Sequence, residues 1–228
     1  IGILLSAAAQ PASFSAAELE FISQFIADCA PPIDLLESPP PESGGIFWID
    51  LDKDFPGHAL IRRIPTPDAR VLYFSCAAIA EITLKQRSAI LQGVSAQTLG
   101  LPPFADGATG PNTLLRLNRL WGHPSKRRFS RRRQSYRANI CSGLNNLWHL
   151  MKSQQVPSNQ SEWMVTNESP DGYSLMHMTG QTQDLHIGDI VALQALGDHS
   201  ELATTWHVCI VRWAVSENPE HIELGLQI

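Results

Sequence analysis

Residues 162–178 have the sequence EWMVTNESPDGYSLMHM, in which two extended runs flank a turn. The runs 162–167 and 173–178 are short and largely apolar, as strands commonly are. Between them lie Glu, Ser, Pro, Asp and Gly, and the last four are residue types that tight turns favour, as is the Asn that ends the first run. This stretch therefore predicts two neighbouring strands joined by a tight turn.

Four further runs of the same character surround this stretch, at 135–141, 190–196, 206–215 and 221–228. Gly, Asp and Pro separate the six runs, and short strands at this spacing are typical of a compact antiparallel barrel. An insert follows the first run, and its large apolar residues recur on one helical face: Leu144, Leu147, Trp148 and Met151. We predict that residues 122–228 form a six-stranded antiparallel β-barrel with a helical insert.

The first half, residues 1–121, predicts a small α+β domain. A capping pattern at Ser15 and Glu18 begins a helix that ends near Cys29. Short β-branched and aromatic runs predict three strands, and periodic apolar residues predict two more helices; the strands are expected at 46–51, 59–64 and 70–75, and the helices at 77–92 and 113–121. We attach no chemistry to this domain, whose role is left open.

Composition narrows the class of protein. The chain has 228 residues, 43% of them hydrophobic, but no apolar run approaches the roughly 20 residues that span a bilayer. We therefore expect no membrane span. The four cysteines are far apart in sequence and show no metal-binding spacing, which favours reduced thiols in a cytoplasmic protein. Neither a glycine-rich phosphate loop nor a nucleophile elbow is present, so we expect no enzyme activity, no metal and no cofactor.

Positive charge is concentrated in one segment. Seven of the 17 Lys and Arg residues lie within residues 126–137, and without them the net charge of −5 becomes −12. Focusing of this kind attracts anions such as phosphates. Arg133 and Arg137 are four residues apart where a loop is expected to enter a strand, so one guanidinium can lie along the loop while the other projects from the strand. Guanidinium groups donate paired hydrogen bonds to phosphate or guanine and stack on purines.

The turn adds complementary polar groups. Asn167, Ser169 and Gly172 can present an amide, a hydroxyl and exposed backbone N–H groups to a small polar ligand. The four tryptophans of the second half, Trp148, Trp163, Trp206 and Trp213, are predicted to be packing residues, although one at the mouth of the barrel could stack on a purine.

An RxxxR pair followed by an NxSxxG turn, on a six-strand pattern that ends in WHVCIVRW (206–213) and ELGLQI (223–228), resembles the PilZ domain. The resemblance covers roughly residues 126–228. In that bacterial family the two motifs bind cyclic di-GMP, and the resemblance implies the same ligand here. It implies that Arg133 and Arg137 hold guanines and phosphates, that Arg132 helps if two intercalated ligand molecules bind, that Asn167 and Ser169 contact a guanine edge and a phosphate, and that Gly172 lets the backbone approach.

The leading hypothesis is thus a cytoplasmic bacterial cyclic di-GMP receptor that signals by changing the docking of its first domain or of a downstream protein partner. Two alternatives remain open. One is a PilZ-like scaffold that has lost its ligand and only contacts proteins. The other is a single-stranded nucleic-acid-binding module, which the acidic remainder of the chain and the scarcity of aromatic residues in the basic segment disfavour.

Overall fold

The computed structural model describes residues 1–41, 44–153, 160–180, 182, 185–196, 205–218 and 221–228. The chain forms two compact units. The first consists of Ile1–Pro11 and Ala16–Arg127, and the second of Ala12–Ser15 and Arg128–Ile228. The boundary between the units falls within the basic segment 126–137, because Lys126 and Arg127 belong to the first unit and the remaining cations to the second.

Among the described residues, the first unit contains four α-helices: α1 (Gly2–Ala8), α2 (Ala16–Cys29), α3 (Ala77–Leu91) and α4 (Gly110–Gly122). The helices predicted at 15–29, 77–92 and 113–121 are confirmed, with α4 beginning three residues early. Trp121 of α4 is fully buried, stacks on Phe25 and donates from its indole Nε1 to the Leu5 carbonyl at 3.0 Å. This residue ties α1, α2 and α4 into one core.

A three-stranded antiparallel sheet completes the first unit, with the order β2-β1-β3. The strands are β1 (Ile46–Asp50), β2 (His58–Ala59) and β3 (Val71–Ser75). The strand predicted at 59–64 is wrong beyond Ala59. The backbone N–H groups of Arg62 and Arg63 both donate to the Ala59 carbonyl, at 2.9 and 3.1 Å, and so close a turn where a strand was expected.

The described part of the second unit contains six antiparallel strands: β4 (Arg132–Ser142), β5 (Gln160–Ser169), β6 (Gly172–Thr179), β7 (Ile190–Leu196), β8 (His207–Asn218) and β9 (His221–Gln227). Each strand is hydrogen-bonded to two neighbours in the order β4-β5-β6-β9-β8-β7, and β7 pairs with β4, so the sheet closes on itself. All six predicted strands are confirmed. The protein therefore combines helices with a closed six-stranded antiparallel sheet.

Alternation along the strands separates an inner from an outer face of this ring. The inner face is a continuous apolar core of buried side chains, among them Ala138, Ile140, Trp163, Val165, Tyr173, Leu175, Val191, Leu193, Val211, Leu224 and Leu226. Residues between these positions in sequence face outward, except where a β-bulge inserts an extra residue. The outer face is where ligands and partners can approach.

The helical insert, α5 (Leu144–Ser153), packs on the outer face of the ring. Leu147 and Leu150 are buried against Cys141 of β4 and Ala192 of β7. The helix is confirmed, but of the four apolar residues predicted to share one face only Leu147 is buried, so the packing role predicted for Trp148 is wrong. Leu144, Trp148 and Met151 are exposed, because α5 turns the neighbouring stripe toward the strands.

Two findings bear on the expectations from composition. No helix among the described residues is both long and apolar enough to cross a bilayer. All four cysteines are free thiols; Cys76, Cys141 and Cys209 are buried, and Cys29 is partly buried. Burial raises the pKa of the Cys76 thiol to about 12 and that of the Cys209 thiol to about 11, which keeps both protonated.

Candidate functional site

Strand β4 carries the three arginines singled out in the sequence. Because β4 begins at Arg132, Arg133 lies within the strand rather than in the loop that we expected to precede it. Arg132, Arg133 and Arg137 are all exposed. At about 3.3 Å per residue, Arg133 and Arg137 are separated by roughly 13 Å along the strand. The two cations therefore lie at separate points along the same strand.

The NxSxxG segment forms a hairpin between β5 and β6. Asn167 and Ser169 are among the last residues of β5, and Ser169 pairs with Gly172 across the two-residue turn of Pro170 and Asp171. The Ser169 hydroxyl donates to the Gly172 carbonyl at 3.2 Å, which fixes the side chain at the turn. The predicted turn is thus present, one or two residues later than the sequence suggested.

A β-bulge in β5 orients Asn167. Val165 pairs with Leu175 and Asn167 with Ser174, so β5 uses two residues where β6 uses one. Val165 belongs to the inner core, and without the extra residue Asn167 would face inward as well. The bulge at Thr166, whose hydroxyl donates to the Ser174 carbonyl at 3.2 Å, turns Asn167 to the outer face.

One row of cross-strand partners unites the two motifs on this outer face. Arg133 of β4 pairs with Asn167 of β5, and Asn167 pairs with Ser174 of β6. Ser174 in turn pairs with Gly225 of β9, and Gly225 with Trp213 of β8. Directly opposed residues have Cβ atoms about 4.5–5.5 Å apart, so the row is continuous across five strands. It brings Arg133 and Asn167 together, as the sequence predicted.

The row ends in a tryptophan that lies on a glycine. A Cβ atom at Gly225 would collide with the indole of Trp213, so the ring covers the backbone there. A second bulge, between Val211 and Trp213, turns this side chain outward. Trp213 was expected to be one of four packing residues, any one of which could stack on a purine if it lay at the mouth of the barrel. The strand order that pairs it with Gly225, and so brings it into line with the motifs, is a long-range property that local patterns do not contain.

A fourth arginine reaches the row. One guanidinium nitrogen of Arg131 donates to the Ser174 hydroxyl at 2.5 Å, and Ser174 is only 5% exposed. Neither residue was singled out in the sequence. The spacing gave no signal for Ser174, which belongs to neither motif and becomes part of the site only through its pairing with Asn167. Arg131, directly before β4, therefore reaches strand β6 beside the NxSxxG hairpin.

The arginines differ in their pairing. Arg137 forms an ion pair with Glu162 at 3.0 Å, diagonally across the β4–β5 ladder. By contrast, Arg132 and Arg133 form no ion pair with any described carboxylate. Arg133, directly opposite Asn167, is therefore available to an anion; Arg132 is opposite Glu168 instead, and Arg137 is paired with Glu162.

Glu168, between Asn167 and Ser169, joins the two motifs on the opposite side of the strands. Its carboxylate accepts hydrogen bonds from the Tyr136 hydroxyl at 3.3 Å and the Gln134 amide at 3.4 Å. Burial and the Glu168 charge raise the pKa of Tyr136, and they raise that of Tyr173 as well. Both phenols stay protonated, so Tyr136 can donate to Glu168. This network ties the arginine end of β4 to the hairpin.

Gly172 has a clear structural role. Its φ of +149° is one that residues with a side chain rarely adopt, and a Cβ atom there would collide with the Leu226 carbonyl. The backbone at Gly172 thus lies directly against strand β9. The space that glycine leaves is filled by the neighbouring backbone, which holds β6 and β9 together beside the row.

Comparison of the sequence with protein-family models finds no match, and comparison with curated proteins finds none either. Among the described residues, no three or more His, Cys, Asp or Glu side chains are grouped so as to hold a metal ion. The geometry by itself describes a class of site. An exposed arginine of β4, the amide of Asn167, the hydroxyl of Ser174 and the indole of Trp213 lie in one row on the outer face of a closed sheet. Such a surface suits an anion that carries a flat ring.

Proposed function

We propose that the second unit is a PilZ-like barrel that binds cyclic di-GMP on its outer face, and that the protein is a receptor for this second messenger. The observation that carries the proposal is the direct pairing of Arg133, from the RxxxR motif, with Asn167, from the NxSxxG motif. Had the two motifs faced away from each other, no single ligand could have met both.

Each part of the row has a role in this proposal. The exposed guanidinium groups of Arg133 and Arg137 bind the phosphates or the acceptor edge of a guanine, and Arg132 assists if two ligand molecules bind. Asn167 and Ser169 supply hydrogen bonds to a second edge. Trp213 offers a ring face on which a guanine stacks, worth about 1–3 kcal/mol for a base on an aromatic side chain.

Charge supports a small dianionic ligand. Cations are concentrated on and before β4, whereas the rest of the chain is acidic. A long nucleic acid would pass beyond the basic segment and meet this acidic surface, which weakens binding. A compact dinucleotide needs only the row and the arginines beside it.

Calorimetric titration of the full chain with cyclic di-GMP tests the proposal. We expect saturable binding, with affinity reduced about tenfold to a hundredfold in both Arg133→Ala and Arg137→Ala, the scale of a lost charged hydrogen bond. Arg70→Ala is the matched control, because Arg70 is an exposed arginine of the first unit that pairs with Asp52. No heat and no saturation with the folded wild-type protein would refute the proposal.

The alternative functions give different results. A nucleic-acid-binding module would bind a random single-stranded oligonucleotide with an affinity that falls steeply between two salt concentrations. A scaffold that has lost its ligand would respond to neither titration. The output of the receptor, through the first unit or a downstream protein partner, is part of the proposal and would be tested by capture of partners with and without ligand.

A further inference from the structure

The first unit contains a cavity of about 970 Å³ to which the proposed function gives no role. Its walls are largely apolar, contributed by Ile46, Leu60, Ile61, Ile64 and Pro124. Ile61 is 51% exposed and Ile64 is 78% exposed. Ligand pockets typically occupy about 300–1,000 Å³, so the volume suits a small molecule. Two β-branched side chains left open to solvent around a cavity indicate a binding surface.

The floor of this cavity is held in place by backbone packing. Gly44 and Gly45 lie against the C-terminal end of α4, where added Cβ atoms would be 2.9 Å from the Gly122 carbonyl and 2.7 Å from the Trp121 carbonyl. Trp121 is itself fully buried. Because the glycine backbone packs directly on a helix end that is anchored in the core, the cavity is preformed.

The rim of the cavity is cationic. Lys126 lines it, and Arg62 donates from Nε to the Ser125 carbonyl at 2.9 Å beside it. Partial burial and the nearby charge of Arg127 lower the pKa of Arg62. None of the described lining residues is acidic, and no described carboxylate forms an ion pair with Lys126, Arg62 or Arg127. Like charges gathered without a counter-ion favour an anion.

We propose that this cavity is a binding site for an amphiphilic anion, a molecule with a single hydrocarbon chain and a carboxylate head group. The chain packs between Ile61, Ile64 and Leu60, and the head group lies at Lys126, with Arg62 and Arg127 nearby. The apolar walls select for the chain, since removing it from water is worth roughly 0.8 kcal/mol per CH₂ group. The three cations select for the charge.

The charge of the rim argues against other occupants. A neutral apolar ligand would fill the cavity but leave the positive charge at its rim without a counter-ion. A nucleotide would match the cations, but its polar sugar would face the isoleucine and leucine walls, where its hydroxyl groups lose their hydrogen bonds to water. A fatty-acid-like anion satisfies both the walls and the rim.

The test is calorimetric titration of the full chain with dodecanoate, at concentrations where it is monomeric. We expect saturable binding, and binding at least about tenfold weaker for dodecyltrimethylammonium, which has the same chain and the opposite charge. Ile64→Asp should weaken dodecanoate binding at least about tenfold. Lys126→Gln should weaken dodecanoate by about threefold to tenfold without weakening the cationic amphiphile.

Leu91→Asp is the matched control, since Leu91 is an exposed apolar residue of the same unit, at 59%, that does not line the cavity. It should bind dodecanoate as the wild type does. The proposal is overturned if dodecanoate does not saturate the folded protein, if the cationic amphiphile binds equally well, or if Leu91→Asp and Ile64→Asp have equal effects. Both substituted side chains are largely exposed, so neither variant should unfold the protein. None of these results depends on cyclic di-GMP.

Discussion

The indole of Trp213 occupies the space that a side chain at Gly225 would need. The two residues face each other across the β8–β9 ladder, and their contact ends the row that begins at Arg133. Glycine at 225 is therefore a consequence of where the tryptophan lies. The absence of a side chain lets an aromatic ring pack directly on the backbone of the sheet beside the candidate ligand site.

We expect Gly225→Ala to destabilise the second unit by about 1–3 kcal/mol, the usual cost of overpacking, because the new methyl group must displace the indole. In a Trp213→Ala background the same substitution should be neutral or slightly stabilising, since glycine within a strand costs about 0.5–1 kcal/mol relative to alanine. Urea unfolding followed by circular dichroism measures both. An equal loss in the two backgrounds would mean that the indole is not the cause.

Gly172→Ala should destabilise the second unit more than Gly188→Ala does. Both glycines have positive φ, +149° and +96°. A methyl group at residue 172 would collide with the Leu226 carbonyl, whereas no atom lies within 4 Å of one at residue 188. Gly188→Ala therefore isolates the backbone cost, about 1–2 kcal/mol. Urea midpoints of the two variants give the comparison, and equal midpoints would contradict the proposed contact between β6 and β9.

Tyr136 should make stability fall at alkaline pH. Burial and Glu168 raise its pKa above the ordinary value of 10.0. As pH rises through about 10, the phenol ionises in the unfolded chain but stays protonated in the folded protein, so the unfolded state binds fewer protons and stability decreases. The free energy of unfolding should therefore drop less between about pH 9 and about pH 11 in Tyr136→Phe than in the wild type. If the free energy of unfolding drops equally in both proteins, the Tyr136 phenol is exposed to solvent.

The sequence predicted the strands of the second unit well, because each carries the alternation of a half-buried strand. Val165 and Leu175 mark inward positions on either side of the hairpin, and the turn residues mark its ends. The strand expected at 59–64 failed for a local reason. Its β-branched residues suit a strand, but the backbone closes a turn on Ala59, and Ile61 and Ile64 are left exposed.

The candidate site could be predicted only in part. The motifs identified Arg133 and Asn167, but strict alternation from Val165 would have placed Asn167 inside the ring. Its outward direction depends on the bulge at Thr166, for which we identified no signal in the sequence. Ser174 is missing from the prediction, and Trp213 was not distinguished from three other tryptophans, because both enter the site through pairings between distant strands.

Glu162 should weaken ligand binding at the proposed site, because its carboxylate competes with the ligand phosphate for the Arg137 guanidinium. The two side chains form an ion pair at 3.0 Å, with Arg137 61% exposed and Glu162 28% exposed. A pair this open to solvent is worth at most about 1 kcal/mol. If Arg137 must leave it to bind a phosphate, Glu162→Gln should strengthen cyclic di-GMP binding by up to about fivefold.

A double-mutant cycle separates this competition from a direct effect of Glu162 on the ligand. In an Arg137→Ala background, Glu162→Gln should leave the affinity unchanged, because the guanidinium for which it competes is gone. Glu81→Gln is the matched control, since it removes an exposed glutamate of α3 that pairs with Lys85. Weaker binding by Glu162→Gln would mean instead that the carboxylate accepts a hydrogen bond from the ligand. Unchanged binding in the single variant, with Arg137→Ala still weakened, would mean that Arg137 binds the ligand without leaving Glu162.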